Sequence, residues 1–248
     1  MMKYLPRKLL SNLVLINLRK LLTLFVISIS ISSLFNIASA KVVNVDGEYI
    51  AFPSVTPLVD AQQELIDLLN QFQPPGNEIV IAYITQDDFD RFENYEEPKC
   101  PEFVQIMSSI NNGEDASYSS FIDDIAESKR ELIEIEESLT KVNAALLEQD
   151  SYISNLADVE FTNEVQAIIP FPILIDNKNT FAATILVANK QTLNGKIKRI
   201  GRIVTTIGIY INGRILNIAF YSNMIKNNNI SIQEERVLNW ITSFWEAN

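Results

Sequence analysis

The sequence predicts an α+β fold in which an antiparallel sheet of hairpins is packed by helices. Three observations predict it. Residues 164–222 are rich in β-forming side chains and are interrupted mainly by turn sequences. Residues 117–157 contain neither Gly nor Pro and repeat apolar residues at helical spacing. A second amphipathic helical pattern covers residues 231–247. Because the connections between the predicted strands are short, antiparallel pairing within a single domain is favoured over parallel βαβ units.

The first forty residues have the features of a secretory leader. Residues 1–20 carry five basic and no acidic side chains, and residues 21–40 are uncharged and end in Ala38-Ser39-Ala40. This pattern predicts cleavage after Ala40 and a periplasmic or secreted domain of residues 41–248, with no membrane span remaining. The alternative is an inner-membrane anchor, because an uncleaved segment of about 20 uncharged residues can just span a bilayer.

The first part of the predicted domain contains strands and one helix. A short strand is expected at Glu48–Phe52 and a helix at 57–73, which the turn Pro74-Pro75-Gly76-Asn77 ends. Buried strands are expected at Ile79–Ile84 and Phe103–Met107, with an acidic loop or short helix between them. The helix prediction depends on apolar residues at helical spacing, namely Leu58, Leu65, Leu68 and Leu69.

The segment 117–157 reads as one long helix with a heptad seam. Nine of eleven positions spaced alternately by four and three residues are apolar. A straight helix of this length would extend about 60 Å, which exceeds the width of a compact domain of this size. We therefore expect either a break near Asn143, with both halves packed on the body, or an arm that self-associates. Three side chains beside the seam widen the apolar face and favour packing: Ile122, Ile133 and Leu147.

The β-rich region is expected to form two hairpins. Val165–Ile175 and Phe181–Ala188 flank a four-residue loop, 176–179. Residues 202–211 and 214–222 are joined by Asn212-Gly213, the preferred pair for a type I′ turn. This turn predicts pairing between residues whose numbers sum to 425. The apolar alternation independently predicts the same register. The final helix, 231–247, is expected to begin with a capping box, Ser231-Ile232-Gln233-Glu234.

This order of elements resembles a known group of proteins. The turn from Pro74 into a strand, the long helix, the paired strands and the closing helix ending Trp245-Glu246-Ala247-Asn248 are similar to a group of uncharacterised secreted proteobacterial proteins. Their arrangement is similar to α/β sandwiches of the PsbP/Mog1 kind. The resemblance implies a scaffold and no catalytic residue.

Composition excludes several chemistries. The chain has no histidine and one cysteine, Cys100, so Ser-His-Asp catalysis, His-ligated zinc and CxxC redox chemistry are excluded. Calcium binding by the acidic stretch 87–93 is not favoured, because it lacks the ligand spacing of an EF-hand. We expect no cofactor and a non-enzymatic binding protein. The alternatives are a small-ligand module with an apolar pocket and a carboxylate-based hydrolase.

Charge is distributed unevenly along the chain. The net charge is −11, and loss of the leader leaves 15 basic and 31 acidic residues. This acidity argues against nucleic acid as a partner. Residues 177–233 contain eight basic and no acidic residues. They either pair with the protein's own acidic segments or dock an acidic protein or envelope component. The candidate docking residues are Lys196, Lys198, Arg199 and Arg202.

Overall fold

The computed structural model describes most of the chain after the predicted leader. The described residues are 40–71, 73, 76–94, 96, 99–109, 116–157, 160–224 and 229–248, with backbone alone for 148–149, 152–153 and 155–157. The predicted leader, apart from Ala40, therefore lies outside the described residues. So do two of the predicted turn residues, Pro74 and Pro75.

The predicted α+β class is confirmed. Nine strands are described: β1 (Lys41–Val45), β2 (Glu48–Phe52), β3 (Val59–Asp60), β4 (Asn77–Ile84), β5 (Glu102–Ser109), β6 (Phe161–Asp176), β7 (Thr180–Leu193), β8 (Lys196–Ile211) and β9 (Arg214–Asn223). The described helices are α1 (Gln63–Asn70), α2 (Gln86–Glu93), α3 (Tyr118–Glu131), α4 (Ile135–Ala157) and α5 (Asn229–Ala247). Strands β1 and β2 form a separate hairpin. The other seven form one antiparallel sheet in the order β3-β4-β5-β9-β8-β7-β6.

Helices cover both faces of the large sheet. On one face α5 packs Val237 and Phe244 against Ile207 of β8 and Phe52 of β2. On the other face α1 packs over β4 and β5, and α3 packs Phe121 near the β8–β9 turn. The alternation of side chains along each strand divides the apolar residues between the two faces. None of the helices in the described part of the chain is both long and apolar enough to cross a bilayer.

The predicted β8–β9 hairpin is confirmed in its turn and its register. Asn212 and Gly213 both have positive φ, 49° and 72°, as a type I′ turn requires. Ile207 pairs with Ile218, and every other pair also sums to 425. A second turn of this kind, Asn194-Gly195, joins β7 to β8 with φ of 48° and 76°. The sequence analysis did not identify it, and it makes these strands longer than expected.

Two predicted helix boundaries are wrong. The helix expected at 57–73 begins only at Gln63, because Val59 and Asp60 instead pair with the end of β4. The last helix begins at Asn229, so Ser231 lies inside it. Gln233 is buried, and its side-chain amide donates to Thr205 Oγ1 at 2.9 Å. Because Ser231 and Glu234 both lie inside the helix, the predicted capping box, which pairs these two positions, is wrong.

The long helix is broken, but not near Asn143. Helix α3 ends at Glu131 and α4 begins at Ile135. The Ser138 hydroxyl donates toward the carbonyl oxygens of Glu131 and Glu134, which lie on either side of the break. The expectation that Ile133 packs on the body is also wrong, because this side chain is 82 % exposed. Ile122 and Leu147 are exposed as well.

Polar side chains of helices cover one section of the sheet edge at β6 and one section of the edge at β4. Asn143 of α4 accepts from the Val165 N–H and donates to the Val165 carbonyl, at 2.8 and 2.9 Å. Farther along α4, Asp150 accepts from the Asn163 N–H and Ser154 bonds to Phe161. At the opposite edge Asn70 accepts from the Ile79 N–H at 2.7 Å and donates to the Ile79 carbonyl at 3.1 Å. These contacts satisfy backbone groups that an edge strand would otherwise expose.

Candidate functional site

Strands β6, β7 and β8 extend together beyond the end of β9. Strand β9 ends at Asn223, opposite Arg202, whereas β8 continues back to Lys196 and pairs there only with β7. The Met224 N–H donates to the Gly201 carbonyl at 3.0 Å. Within the described residues, no strand lies against the outer edge of β8 from Lys196 to Gly201.

Three of the four predicted docking residues lie on this extension. Lys196, Lys198 and Arg199 are exposed, and we call these three residues the basic tip. Strand alternation places Lys196 and Lys198 on one face of the sheet and Arg199 on the other. Ile197, between them, is 58 % exposed. The structure therefore brings three cations to an accessible strand end.

Arg202, the fourth predicted residue, is not part of this surface. It is only 7 % exposed, and its side chain lies in a buried environment that includes Phe103, Cys100 and Tyr221. Its guanidinium carbon lies 6.0 Å from the centroid of the Phe103 ring, and burial lowers its pKa below the ordinary value. Its expected role in partner docking is therefore corrected to a role inside the fold.

The single thiol lies close to this buried arginine. Cys100 is buried among the apolar residues under α1. Burial raises the pKa of its thiol well above the ordinary value, and the nearby Asp88 raises it further. Since the thiolate is the reactive form, the structure shields Cys100 from nucleophilic chemistry.

The acidic stretch 87–93 forms helix α2 and bonds within the protein. Asp88 is buried, and its carboxylate accepts from the N–H groups of Lys99 and Cys100 at 2.6 and 3.0 Å. Asp87 pairs with Arg91, and this hydrogen bond lowers the pKa of the Asp87 carboxyl, with Lys99 adding to the effect. Across the described ranges no cluster of three acidic or thiol side chains is placed to hold a metal ion.

Other basic residues of 177–233 are used internally. Lys190 pairs with Glu164 on the neighbouring strand at 3.1 Å. Arg214 is buried and donates to the carbonyls of Val45 and Asp46, which ties the β8–β9 turn to the β1–β2 turn. Internal contacts therefore use part of the basic region, and Lys198 of the exposed basic tip also has an electrostatic interaction with the Cys100 thiol.

A cleft of about 450 Å³ lies at the opposite end of β8. It is lined by residues from α3, the end of β8, two strand connections, α5 and the residue after α5: Tyr118, Lys178, Asn179, Tyr210, Ile211, Asn212, Trp245 and Asn248. We call it the aromatic cleft. The Tyr118 and Tyr210 rings meet edge to face, with centroids 5.3 Å apart. The sequence analysis identified the two loops but could not predict that they converge with the last helix.

The polar groups of the three aromatic residues are satisfied by the protein. Tyr118 Oη donates to the Lys178 carbonyl at 2.8 Å, and Tyr210 Oη donates to the Ala116 carbonyl at 3.2 Å. Trp245 Nε1 donates to Thr180 Oγ1 at 3.0 Å. A ligand in this cleft would therefore meet ring surfaces together with amide groups and the Lys178 ammonium.

A smaller cleft, of about 190 Å³, includes two carboxylates among its lining residues, Asp46 and Glu78. Glu78 is exposed to solvent. A catalytic acid is normally kept in a desolvated environment that raises its pKa. The exposure of Glu78 therefore gives no support to the carboxylate-hydrolase alternative.

Comparison with known proteins gives a coarse likeness in fold. No protein-family model matches the chain, and no curated protein sequence matches it. The chain is similar to the crystal structure of the Ran-binding protein Mog1p of Saccharomyces cerevisiae, with a sequence identity of 12 % and a TM-score of 0.36. The alignment covers 85 % of this chain and 95 % of Mog1p. The solution structure of cyanobacterial PsbP from Synechocystis sp. PCC 6803 is 10 % identical, with a TM-score of 0.35 and coverage of 85 % and 95 %. The proteobacterial grouping stays a prediction.

Proposed function

We propose that this chain is a non-enzymatic binding protein of the periplasm and that its basic tip docks an acidic protein partner. The observation that carries the proposal is the exposure of Lys196, Lys198 and Arg199 at the end of a hairpin, in a region without a carboxylate from residue 177 to 233. Such a local surplus of positive charge on an acidic protein attracts and orients a partner of opposite charge.

The test is reversal of the tip charges. In the triple variant Lys196→Glu, Lys198→Glu, Arg199→Glu we expect loss of partner capture, because attraction becomes repulsion at the contact. Capture is measured in cells with a photo-crosslinking amino acid in place of Ile197. The matched control reverses three exposed lysines outside the tip, with the same change in net charge: Lys41→Glu, Lys141→Glu and Lys178→Glu.

Two outcomes would contradict docking through the tip. The first is capture by the triple variant at the level of the control. The second is binding of the isolated partner that does not weaken as salt rises, since exposed charges are screened within about 8 Å at physiological ionic strength. Circular dichroism and thermal melting establish that both variants are folded. Export is tested separately, by mass spectrometry of the cell-envelope fraction, where the proposed cleavage after Ala40 leaves Lys41 as the first residue.

The aromatic cleft favours a second candidate function, the binding of a small ligand. Its volume of about 450 Å³ lies within the range of small-molecule pockets, and three aromatic side chains line it. Ligand-observed NMR with saccharides and aromatic carboxylates tests this function on the wild type and on Trp245→Leu. Binding that is lost in the variant supports it. An absence of binding to the wild type, or equal binding to both proteins, contradicts it.

A further inference from the structure

We propose that the basic tip binds its acidic partner by strand addition: an extended acidic segment of the partner pairs with the outer edge of β8 at Ile197 and Arg199. This inference rests on the proposed function, because it takes the basic tip as the docking surface. It adds the mode of recognition and the chemical character of the segment that binds.

The register of the hairpin determines which backbone groups are available. Leu193 and Lys196 pair directly across the two-residue turn Asn194-Gly195, so they form a hydrogen-bonded pair. Bonded and non-bonded pairs alternate in an antiparallel ladder, and Lys198 therefore bonds to β7 whereas Ile197 and Arg199 do not. The N–H and C=O groups of Ile197 and Arg199 point outward. Farther along β8, the odd-numbered residues bond to β9 through these same outward N–H and C=O groups.

This edge contrasts with the sections of the other two edges that polar side chains of helices cover. At β6 the outward groups of Phe161, Asn163 and Val165 bond to side chains of α4. At β4 the outward groups of Ile79 bond to Asn70. Among the described residues, nothing bonds in this way to the outward groups of Ile197 and Arg199. The Met224 N–H contacts the edge only at Gly201.

The side chains on this edge select an acidic strand. Opposite charges directly across a strand pair are favourable and like charges are unfavourable. A second copy of the same edge would place cations against cations, which is one way in which proteins prevent edge-to-edge aggregation. An acidic segment would meet Lys196 and Lys198 on one face of the sheet and Arg199 on the other, and its apolar side chains would contact Ile197. Backbone bonds would supply affinity, and charge would supply specificity.

The experiment uses defined peptides and isothermal titration calorimetry with the mature protein. The probe is a capped ten-residue peptide of alternating Glu and Val. One control peptide carries Lys in place of Glu. Another is N-methylated at two consecutive central residues, so that neither of its edges can form a continuous ladder. We expect the Glu–Val peptide to bind, the Lys–Val peptide not to bind, and N-methylation to weaken binding about tenfold or more.

Two substitutions at one position separate backbone pairing from side-chain contact. Ile197→Pro removes the outward N–H without removing a hydrogen bond to β7, and proline is tolerated on strand edges. Ile197→Ala removes the apolar contact and retains the N–H. We expect Ile197→Pro to weaken peptide binding about tenfold and Ile197→Ala about threefold or less. Amide hydrogen exchange on the wild type provides a readout that does not depend on a variant, with the Ile197 and Arg199 amides becoming protected when the peptide binds.

The outcomes distinguish the mode of binding from the docking site. If charge reversal of the basic tip abolishes binding but Ile197→Pro and N-methylation have no effect, strand addition is overturned and docking by charge remains. If charge reversal has no effect, both fail. Unchanged exchange at Ile197 and Arg199 in the bound protein, or no binding of the Glu–Val peptide to the wild type, also overturns strand addition.

Discussion

Asp150 combines burial with a negative charge, and its substitution should change stability in a pH-dependent way. The residue lies in α4, is 5 % exposed and accepts a hydrogen bond from the Asn163 N–H at 2.6 Å. Burial raises the pKa of its carboxyl from 3.8 to about 6, against the opposing effect of the hydrogen bond. The ionised form is therefore disfavoured in the folded protein.

The magnitude follows from the difference between the folded and unfolded pKa values. The rise of the Asp150 pKa from 3.8 to about 6 corresponds to about 3 kcal/mol of destabilisation wherever both states are ionised. Because the folded pKa is raised, this penalty is complete above pH 6 and disappears below pH 3.8. Asp150→Asn removes the charge and retains an oxygen that can accept from the Asn163 N–H. We expect this variant to be more stable than the wild type at pH 8 by about 1–3 kcal/mol.

Urea denaturation followed by circular dichroism measures the free energy of unfolding at pH 8 and at pH 4. The gain from Asp150→Asn should be largest at pH 8 and should shrink toward pH 4 as the wild-type carboxyl becomes protonated. The matched control is Glu235→Gln, the same acid-to-amide change at an exposed position, with an expected effect within about 0.5 kcal/mol. A destabilised variant at pH 8, or an advantage that does not depend on pH, would refute the reasoning.

Three further predictions concern the edge bonds, the thiol and the long helical segment. Asn143→Ala should lower the free energy of unfolding by about 1–3 kcal/mol, because the Val165 N–H and C=O lose their partners; no change in urea denaturation would contradict this role. Cys100 should react with a thiol reagent at pH 8 only as fast as the protein opens, so urea should accelerate the reaction. Rapid labelling of Cys100 in the folded protein would contradict its burial. Light scattering should show a monomeric wild type, and Leu132→Asp with Leu139→Asp should unfold it. A wild-type dimer that this double change splits into folded monomers would instead establish association through the helices.

The elements that the sequence predicts well are those whose signals are local. The Asn212-Gly213 turn determines its own backbone conformation, and the alternation of apolar residues then allows one register only. The strand 48–52 and the strands around Ile79–Ile84 and Phe103–Met107 also follow from short runs of β-forming residues. The predicted helix at 57–73 began too early because Leu58 continues the helical spacing. No local feature shows that Val59 and Asp60 pair with a strand more than twenty residues later.

The candidate site likewise has one part that the sequence predicts and another part that it does not. Composition alone identified a segment without carboxylates and placed Lys196, Lys198 and Arg199 in it. Arg202 has the same charge and lies three residues beyond Arg199, but its side chain is buried beside Phe103, which comes from a strand far away in the sequence. The position at which β9 ends beside β8 depends on the whole sheet, and no local pattern in the sequence of β8 predicts it.

The sequence by itself therefore determined the α+β class, the turns and the uneven distribution of charge, since each depends on neighbouring residues or on composition. Tertiary structure decided which cations remain exposed, that the long helical segment breaks before Ile135, and that Tyr118, Tyr210 and Trp245 line one cleft. These features depend on contacts between residues far apart in the chain, and their positions follow from how the helices pack on the sheet. The edge of β8 that no described strand pairs with has the same origin, because β9 ends opposite Arg202 while β8 continues to Lys196.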